Sequence, residues 1–332
     1  MSTAQQPIGS GFGAASTAAN VIEGHDLQGR LAIVTGGYSG IGLETTRHLA
    51  EAGATVIVPA RDIGKAAQAL QGITGVEQAA LDLLDPGSIS AFADHVLAKG
   101  RPIDLLINNA GIMATPLIRD QRGLEAQFAT NHLGHFQLTT ALWPALMKSG
   151  NSRVVTLSSR GHFFSPMVFE DPHFKHRAYE PYLAYGQSKT ANILFTVALD
   201  TRGIAEGVRA FAVHPGTVVG TDLKRSIDEQ GLKAAGLMDE HGQPVLDPAK
   251  NRKTISQGAA TTVWCATNLM LDGRGGVYCE NCDVAAQVPN DAVEGTQGAL
   301  NLPTGVMPYA IGVESAERLW RLSEALLAPG HA

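Results

Sequence analysis

The sequence predicts a single doubly wound α/β domain built on a mostly parallel sheet of seven strands. Short apolar runs alternate with longer segments of helical spacing. Strands that are apolar throughout must be covered on both faces, as in a parallel sheet flanked by helices. The first apolar run leads directly into a glycine cluster that opens a helical pattern, "TGGYSGIG" at 35–42. Hydrophobic residues make up 44% of the 332-residue chain, enough for a large core, and its 37 glycines suit a fold with many tight turns.

The elements follow in order. "LAIVT" (31–35) is the first strand, and "IGLETTRHLAEAG" after it has helical spacing. "TVIV" (55–58) is the second strand, followed by a polar helix from Ile63. "VEQAALDL" (76–83) is the third, with a helix from about Ser88 to Ala98. "IDLLIN" (103–108) is a buried strand, and a long helix is expected over Leu124 to Met147. "RVVTLS" (153–158), the helix containing "YGQSK" (185–189), "VRAFAVH" (208–214), a helix near Thr254–Ala266 and "GVYC" (276–279) complete the sheet and its cover. "ESAERLWRLSEALL" (314–327) reads as an amphipathic C-terminal helix. Residues 222–253 break the rhythm with charges, Gly and Pro, and an irregular insertion of this length reads as a lid or binding loop. Residues 1–26, rich in Gly, Ala, Ser and Thr, read as a flexible N-terminal arm, leaving 27–327 as the domain.

Composition narrows the function. The net charge is −6 and no lysine/arginine cluster stands out, which argues against nucleic acid as a partner. Only 17% of residues are charged, below the usual quarter. No apolar run reaches the roughly 18 residues of a membrane span, and the N-terminus lacks the basic start and apolar stretch of a signal peptide. Three cysteines fit a reducing compartment, so the expected location is cytoplasmic. The pair Cys279 and Cys282 forms a C-x-x-C, but no partner pair completes a zinc site, and the expectation is buried thiols with no metal.

Two stretches carry chemistry. Between the first strand and its helix lie Gly36, Tyr38, Ser39, Gly40, Ile41 and Gly42. Glycines there let the backbone approach a pyrophosphate, and the helix presents free N–H groups and its positive end, the Rossmann-type arrangement for a dinucleotide. The spacing is T-G-x-x-x-G-I-G rather than G-x-G-x-x-G. The second strand ends in "VPARD", with Ala60 and then Arg61 where an acidic residue would hold a free ribose 2′-hydroxyl. An arginine there binds a 2′-phosphate, so NADP(H) is expected over NAD(H), although Asp62 is adjacent. In "YGQSK", Tyr185 and Lys189 fall one above the other on a helix. Spacing alone leaves open whether they react or merely share a solvated face.

"TGGYSGIG", "NNAG" (108–111), "NHLGHF" (131–136), "VVTLSS" (154–159), "YGQSK" and "HPG" (214–216) occur in this order. With them the chain, over roughly residues 15 to 327, resembles the short-chain dehydrogenase/reductase superfamily. "LAYGQSKTANILF" and "SQGAATTVWCA" are most similar to its retinol dehydrogenase and WW-domain oxidoreductase branch. The resemblance implies that Tyr185 exchanges a proton with the substrate oxygen while a hydride passes to or from the nicotinamide. A free phenol has a pKa of about 10, which the Lys189 ammonium is expected to lower. Lys189 would also hold the nicotinamide ribose. Ser159, rather than Ser158, would bind the reacting oxygen, and Asn131 would hold a water that links Lys189 to solvent. Asn109, Ala110 and Gly111 would line the adenine and ribose side, with Asp82 and Leu83 near the adenine. Pro215, Gly216 and Thr217 would lie by the carboxamide, and His214 would be structural.

Met113, Phe163, Phe164 and Met167 follow strand ends, where open α/β sheets bind ligands, and are expected to wall an apolar substrate pocket. The expected activity is an NADP(H)-dependent alcohol dehydrogenase or carbonyl reductase acting on a small apolar or aromatic molecule. The alternatives are a non-catalytic NADP-binding interaction protein, and an epimerase or lyase using transient oxidation. Analogy adds a homodimer or homotetramer. Two departures stand out: a long segment separates Ser159 from Tyr185, and no anchor-like stretch precedes the first strand, which weighs against a retinoid substrate.

Overall fold

A computed structural model describes residues 3–218, 220–221, 229–234, 236–292 and 302–328. Most of the apolar runs form strands because both faces of each are covered; the edge strand at 76–80 is the exception, with Glu77, Gln78 and Ala80 exposed. The strands are β1 (Leu31–Val34), β2 (Thr55–Ala60), β3 (Val76–Ala80), β4 (Leu105–Asn108), β5 (Ser152–Leu157), β6 (Val208–His214), β7 (Thr217–Val218), β8 (Arg252–Lys253), β9 (Val277–Glu280) and β10 (Asp283–Val284). The main sheet has eight strands in the order β10-β9-β6-β5-β4-β1-β2-β3. Seven pair in parallel, as expected, and the eighth, β10, is a two-residue antiparallel edge on β9. Within β1, Leu31 and Ile33 enter one core cluster and Ala32 and Val34 the other, the two-residue alternation of a strand buried on both sides.

The helices are α1 (Ala18–Ile22), α2 (Gly40–Glu51), α3 (Ile63–Ala69), α4 (Pro86–Ala98), α5 (Ala126–Phe128), α6 (Gly134–Ala141), α7 (Trp143–Ser149), α8 (Pro181–Gly203), α9 (Glu229–Ala234), α10 (Ile255–Thr267) and α11 (Val313–Leu327). Leu49 of α2 and Val263 and Trp264 of α10 pack on one face of the sheet; Phe92 of α4, Leu138 of α6, Leu194 and Phe195 of α8 and Leu319 of α11 pack on the other. Chain order reverses between β1 and β4, so their C-terminal ends open a crevice, the place where such sheets bind ligands.

Three expectations are corrected. The single helix over Leu124–Met147 is broken into α5, a π-helical turn at Ala129–Leu133, α6 and α7. Pro144, in the first turn of α7, cannot donate to the preceding turn and so starts a new helix. Gly134 packs so closely that a Cβ would overlap the Leu83 carbonyl. The N-terminal segment is not a loose arm. The Gln5 side chain donates to Tyr278 O (2.8 Å) and Ala285 O (2.6 Å) and accepts from Tyr278 N (2.9 Å). Asp283 accepts from the N–H groups of Ile8, Gly9 and Ser10. This strap covers the β9–β10 edge, whose open main-chain groups would otherwise invite another strand. The insertion at 222–253 is partly regular: β8 pairs with β7, and α9 lies between them, while its residues 222–228 and 235 fall outside the described residues. The cysteines Cys265, Cys279 and Cys282 are buried thiols. Among the described residues no helix is long and apolar enough to cross a membrane.

Candidate active site

The glycine loop leaves β1 at Thr35 and folds back against the "NNAG" turn after β4. Gly36 has a φ of 64°, a conformation that costs glycine nothing. A Cβ on Gly42 would overlap Gly36 O and stand 2.5 Å from Asn109 Nδ2, so only hydrogen fits. Ser39 precedes α2 but makes no side-chain cap, whereas Asp62, Asp85, Glu180 and Thr254 cap α3, α4, α8 and α10. The first N–H groups of α2 are thus uncapped at the positive end of the helix, which fits a phosphate. Tyr38 and Ile41 turn their side chains toward the core, so it is their main chain that faces this seat.

Arg61 follows β2 directly, is exposed, and has no hydrogen bond or ion pair to the described residues. Its neighbour Asp62 is engaged elsewhere, accepting from Lys65 N at 2.9 Å to cap α3. Asp82 accepts from Leu84 N at 3.0 Å, and the Leu83 side chain is core.

Asn131 lies in the π-helical turn. Its Oδ1 accepts from Ile112 N (2.9 Å), and its Nδ2 donates to Ile112 O (3.0 Å) and to Ser188 Oγ (2.9 Å). Both amide hydrogens are therefore held within the protein. The carboxamide oxygen faces Lys189 across Gly111, whose Cβ would stand 3.0 Å from Asn131 Oδ1 and 3.6 Å from Lys189 Nζ. Asn109 and Ala110 are fixed from the other side, where both main-chain N–H groups donate to Thr35 Oγ1 (2.9 and 3.0 Å).

The long helix α8 brings Tyr185 and Lys189 under the end of β5. Tyr185 is 5% exposed and Lys189 4%, so they do not share a solvated face. The Tyr185 ring and the Ser159 hydroxyl meet at Gly161, where a Cβ would stand 2.7 Å from Tyr185 Cε1 and 3.3 Å from Ser159 Oγ, and Ser159 Oγ accepts from Gly161 N at 2.9 Å. Ser158 turns the other way and donates to Lys189 O at 2.8 Å, a helix-anchoring bond. Lys189 Nζ donates to Leu157 O (3.0 Å) and lies 5.6 Å from the centre of the Tyr185 ring. The phenol is not lowered as expected: burial pushes it from 10.0 up to about 12, against the opposing effect of the Ser159 hydroxyl. Burial likewise brings Lys189 from 10.5 down to about 7. With its upward shift the Tyr185 phenol carries its proton at neutral pH.

The expected pocket wall divides. Met167 is 7% exposed within the larger core cluster, and Phe163 is 5% exposed against Val288, Leu302 and Met307, so both are packing residues. Phe164 and Met113 are half-buried, and Phe164 meets Tyr182 edge-on with ring centres 6.1 Å apart. After β6, Pro215 and Gly216 (φ 94°) lead into β7, and the Lys253 side chain lies against Gly216. Thr217 is half-buried, with Asn251 at its N–H (2.8 Å) and hydroxyl (3.4 Å). His214 accepts from Arg160 N at 3.2 Å, is neutral because burial holds it well below its usual value, and is structural as expected. Thr35, His135, His162 and Ser188 were not among the expected site residues. The first three stand inside "VTGG", "NHLGHF" and "SSRGHF", and the fourth inside "YGQSK".

Comparison with known proteins agrees with this architecture. Residues 30–231 match the family model described as short chain dehydrogenase. A Streptomyces lividans protein named "Probable oxidoreductase" is 42% identical over 311 residues, covering 92% of this chain and 100% of the relative. The human WW domain-containing oxidoreductase is 34% identical over 329 residues, covering 95% of this chain and 72% of that protein. A crystal structure of an uncharacterized protein from Mycobacterium paratuberculosis superposes with a TM-score of 0.69 at 35% identity, covering 94% of this chain and 97% of that one. The chain therefore belongs to the short chain dehydrogenase family of NAD(P)-dependent oxidoreductases, in the branch that includes the WW-domain oxidoreductases.

Proposed function

We propose that the protein is an NADP(H)-dependent enzyme that interconverts an alcohol and a ketone or aldehyde on an apolar, aromatic-accepting substrate. The observation that carries this is the buried Tyr185 phenol, with the Ser159 hydroxyl at the same turn and Lys189 beside its ring, next to a glycine loop that fits a dinucleotide. The cofactor supplies or takes the hydride when bound. Tyr185 donates a proton to the substrate oxygen in the reducing direction, which its burial favours. Ser159 orients that oxygen, Lys189 sets the charge beside the phenol, and Asn131 faces Lys189 over the Gly111 gap. Phe164, edge-on to Tyr182, and Met113 are the expected wall residues left free of the core to meet an apolar substrate.

The test is a panel of aromatic and aliphatic aldehydes, ketones and alcohols with each cofactor, followed at the nicotinamide absorbance. Stoichiometric oxidation of NADPH by an apolar carbonyl is expected. Cofactor binding without turnover of any member would favour an interaction protein, and conversion without net NADPH use an epimerase or lyase. Ser159→Ala is expected to lose about 10²- to 10³-fold in kcat, the scale of one donor to a reacting oxygen. Ser158→Ala should lose far less, and the reverse order would show that the wrong serine had been assigned.

Arg61 supports the cofactor preference, since it is exposed and has no ion pair among the described residues, while Asp62 is held by α3. A charge-assisted hydrogen bond contributes roughly 1.5–3 kcal/mol, or about ten- to a hundredfold in affinity. Arg61→Ala should weaken NADPH by that factor and leave NADH nearly unchanged in a fluorescence titration. Equal weakening of both would remove Arg61 as the reader of the 2′-phosphate.

A further inference from the structure

We infer that His135 and His162 are positioning residues of this reaction, each clamping the main-chain carbonyl of a site residue to a distant segment of the chain. The inference rests on the reading of Asn131 and Ser159 given above. His135 Nδ1 lies 3.0 Å from Asn131 O, and its Nε2 lies 2.9 Å from Thr35 Oγ1. His162 Nδ1 lies 2.7 Å from Ser159 O, and its Nε2 lies 3.2 Å from Met307 N. A carbonyl can only accept, so Nδ1 must carry the hydrogen in both rings and Nε2 must accept.

That one assignment satisfies every partner. The Met307 N–H donates to His162 Nε2. The Thr35 hydroxyl gives its single hydrogen to His135 Nε2 and receives the N–H groups of Asn109 and Ala110, leaving the longer 3.3 Å approach to Ile107 O without a hydrogen. Both rings are at most 1% exposed, and burial brings both from 6.5 down to about 4, so they are neutral.

The two clamped residues share a second property. Both lie where the chain leaves α-helical or sheet bonding: Asn131 is in the π-helical turn, and Ser159 opens a short 3₁₀ turn at Arg160–Phe164. The main-chain bonds there are local, such as His162 N to Ser159 O at 3.0 Å, and each ring adds a tie to a distant segment. His135 ties Asn131 to the loop that follows β1. His162 ties Ser159 to the segment at Met307, and its own carbonyl accepts from Tyr309 Oη (2.7 Å). Misplacement of a reacting group by about 1 Å costs on the order of 10²-fold.

The experiment separates a clamp from mere packing. At each position the variants are His→Asn, whose amide nitrogen falls near Nδ1, His→Gln, whose nitrogen falls near Nε2, and His→Leu. Asn is the smallest and leaves the largest void, so packing alone ranks it worst. The clamp ranks it best: kcat within a few-fold of wild type for Asn, against a loss of about 10- to 10²-fold for Gln and Leu. Asn is expected to be the most active variant yet not the most heat-stable. The substrate is the aromatic carbonyl of the panel turned over fastest with NADPH. Tyr185→Phe is run alongside. If it retains turnover, the catalytic reading fails; if it is dead while Leu and Gln outperform Asn, the clamp alone fails. Nitrogen NMR of ¹⁵N-histidine-labelled protein needs no substrate, and it should show both rings as neutral Nδ1–H tautomers. An Nε2–H tautomer at either position overturns that clamp.

Discussion

Tyr185→Phe is expected to cut turnover by about 10²- to 10⁴-fold, the usual contribution of a positioned general acid. The substitution keeps the ring and removes one oxygen. The ring is held on its own account: a Cβ on Gly161 would stand 2.7 Å from Tyr185 Cε1, so the backbone of the turn after β5 lies against its edge. Phenylalanine fills the same space, and the loss is chemical rather than structural. The Ser159 hydroxyl keeps the bond it accepts from Gly161 N at 2.9 Å. Thermal midpoint and NADPH affinity should therefore stay close to wild type while kcat falls. Near-normal turnover would remove Tyr185 from the mechanism; lost cofactor binding would mean that the hydroxyl serves to hold the cofactor rather than to move a proton.

The largest expected effect on stability lies at the far end of the same helix. Asp200 in α8 and Arg209 in β6 form a two-bond ion pair at 2.8 and 2.9 Å, with Asp200 4% and Arg209 7% exposed. The same carboxylate accepts from Ala210 N at 3.0 Å and presses so closely on the turn before β9 that a Cβ on Gly275 would overlap it. Asp200→Ala leaves a guanidinium buried without its counter-charge. Breaking a buried pair from one side costs about 3–5 kcal/mol, although the intact pair is not necessarily better than an apolar substitute. Chemical denaturation should report a loss in that range, and Asp200→Leu combined with Arg209→Met should recover much of it. A loss below about 1 kcal/mol would mean that water reaches Arg209 and the site is not dry.

The inner strands were legible because they are buried on both sides, which forces each to be largely apolar; the edge strand β3, with Glu77 and Gln78 exposed, was legible from its place in the alternation. The glycine loop was legible because Gly36 and Gly42 are held by backbone geometry that no other residue meets. The break after Phe128 was not. Pro144 was visible, but the π-helical turn depends on Gly134 closing onto Leu83, a contact between segments far apart in sequence. The N-terminal strap was missed for a similar reason. Its main ties are main-chain groups together with Gln5 and Asp283, none of which leaves a periodic mark. Met167 and Phe163 follow strand ends, as pocket residues do, and only their packing shows that they are core. The phenol went the other way from its expected shift because spacing reveals a neighbouring ammonium but not that both groups are dry. The two histidines sit inside motifs that were read for their neighbours.

The strap also has a place in time. Gln5 bonds to Tyr278 and Ala285, 273 and 280 positions further along the chain. At a synthesis rate of about 5–20 residues per second, Gln5 is made roughly 14 to 55 s before Tyr278. During that interval the first residues have nothing to close upon, and β9 does not yet exist. When β9 does arrive it joins a sheet whose other strands are already synthesised, and its outer side stays open until β10 forms and the waiting segment returns to it. The last edge of the sheet to be made is thus sealed by a segment that emerges well before it, and in the nascent chain that edge is the one exposed to foreign strands latest in assembly.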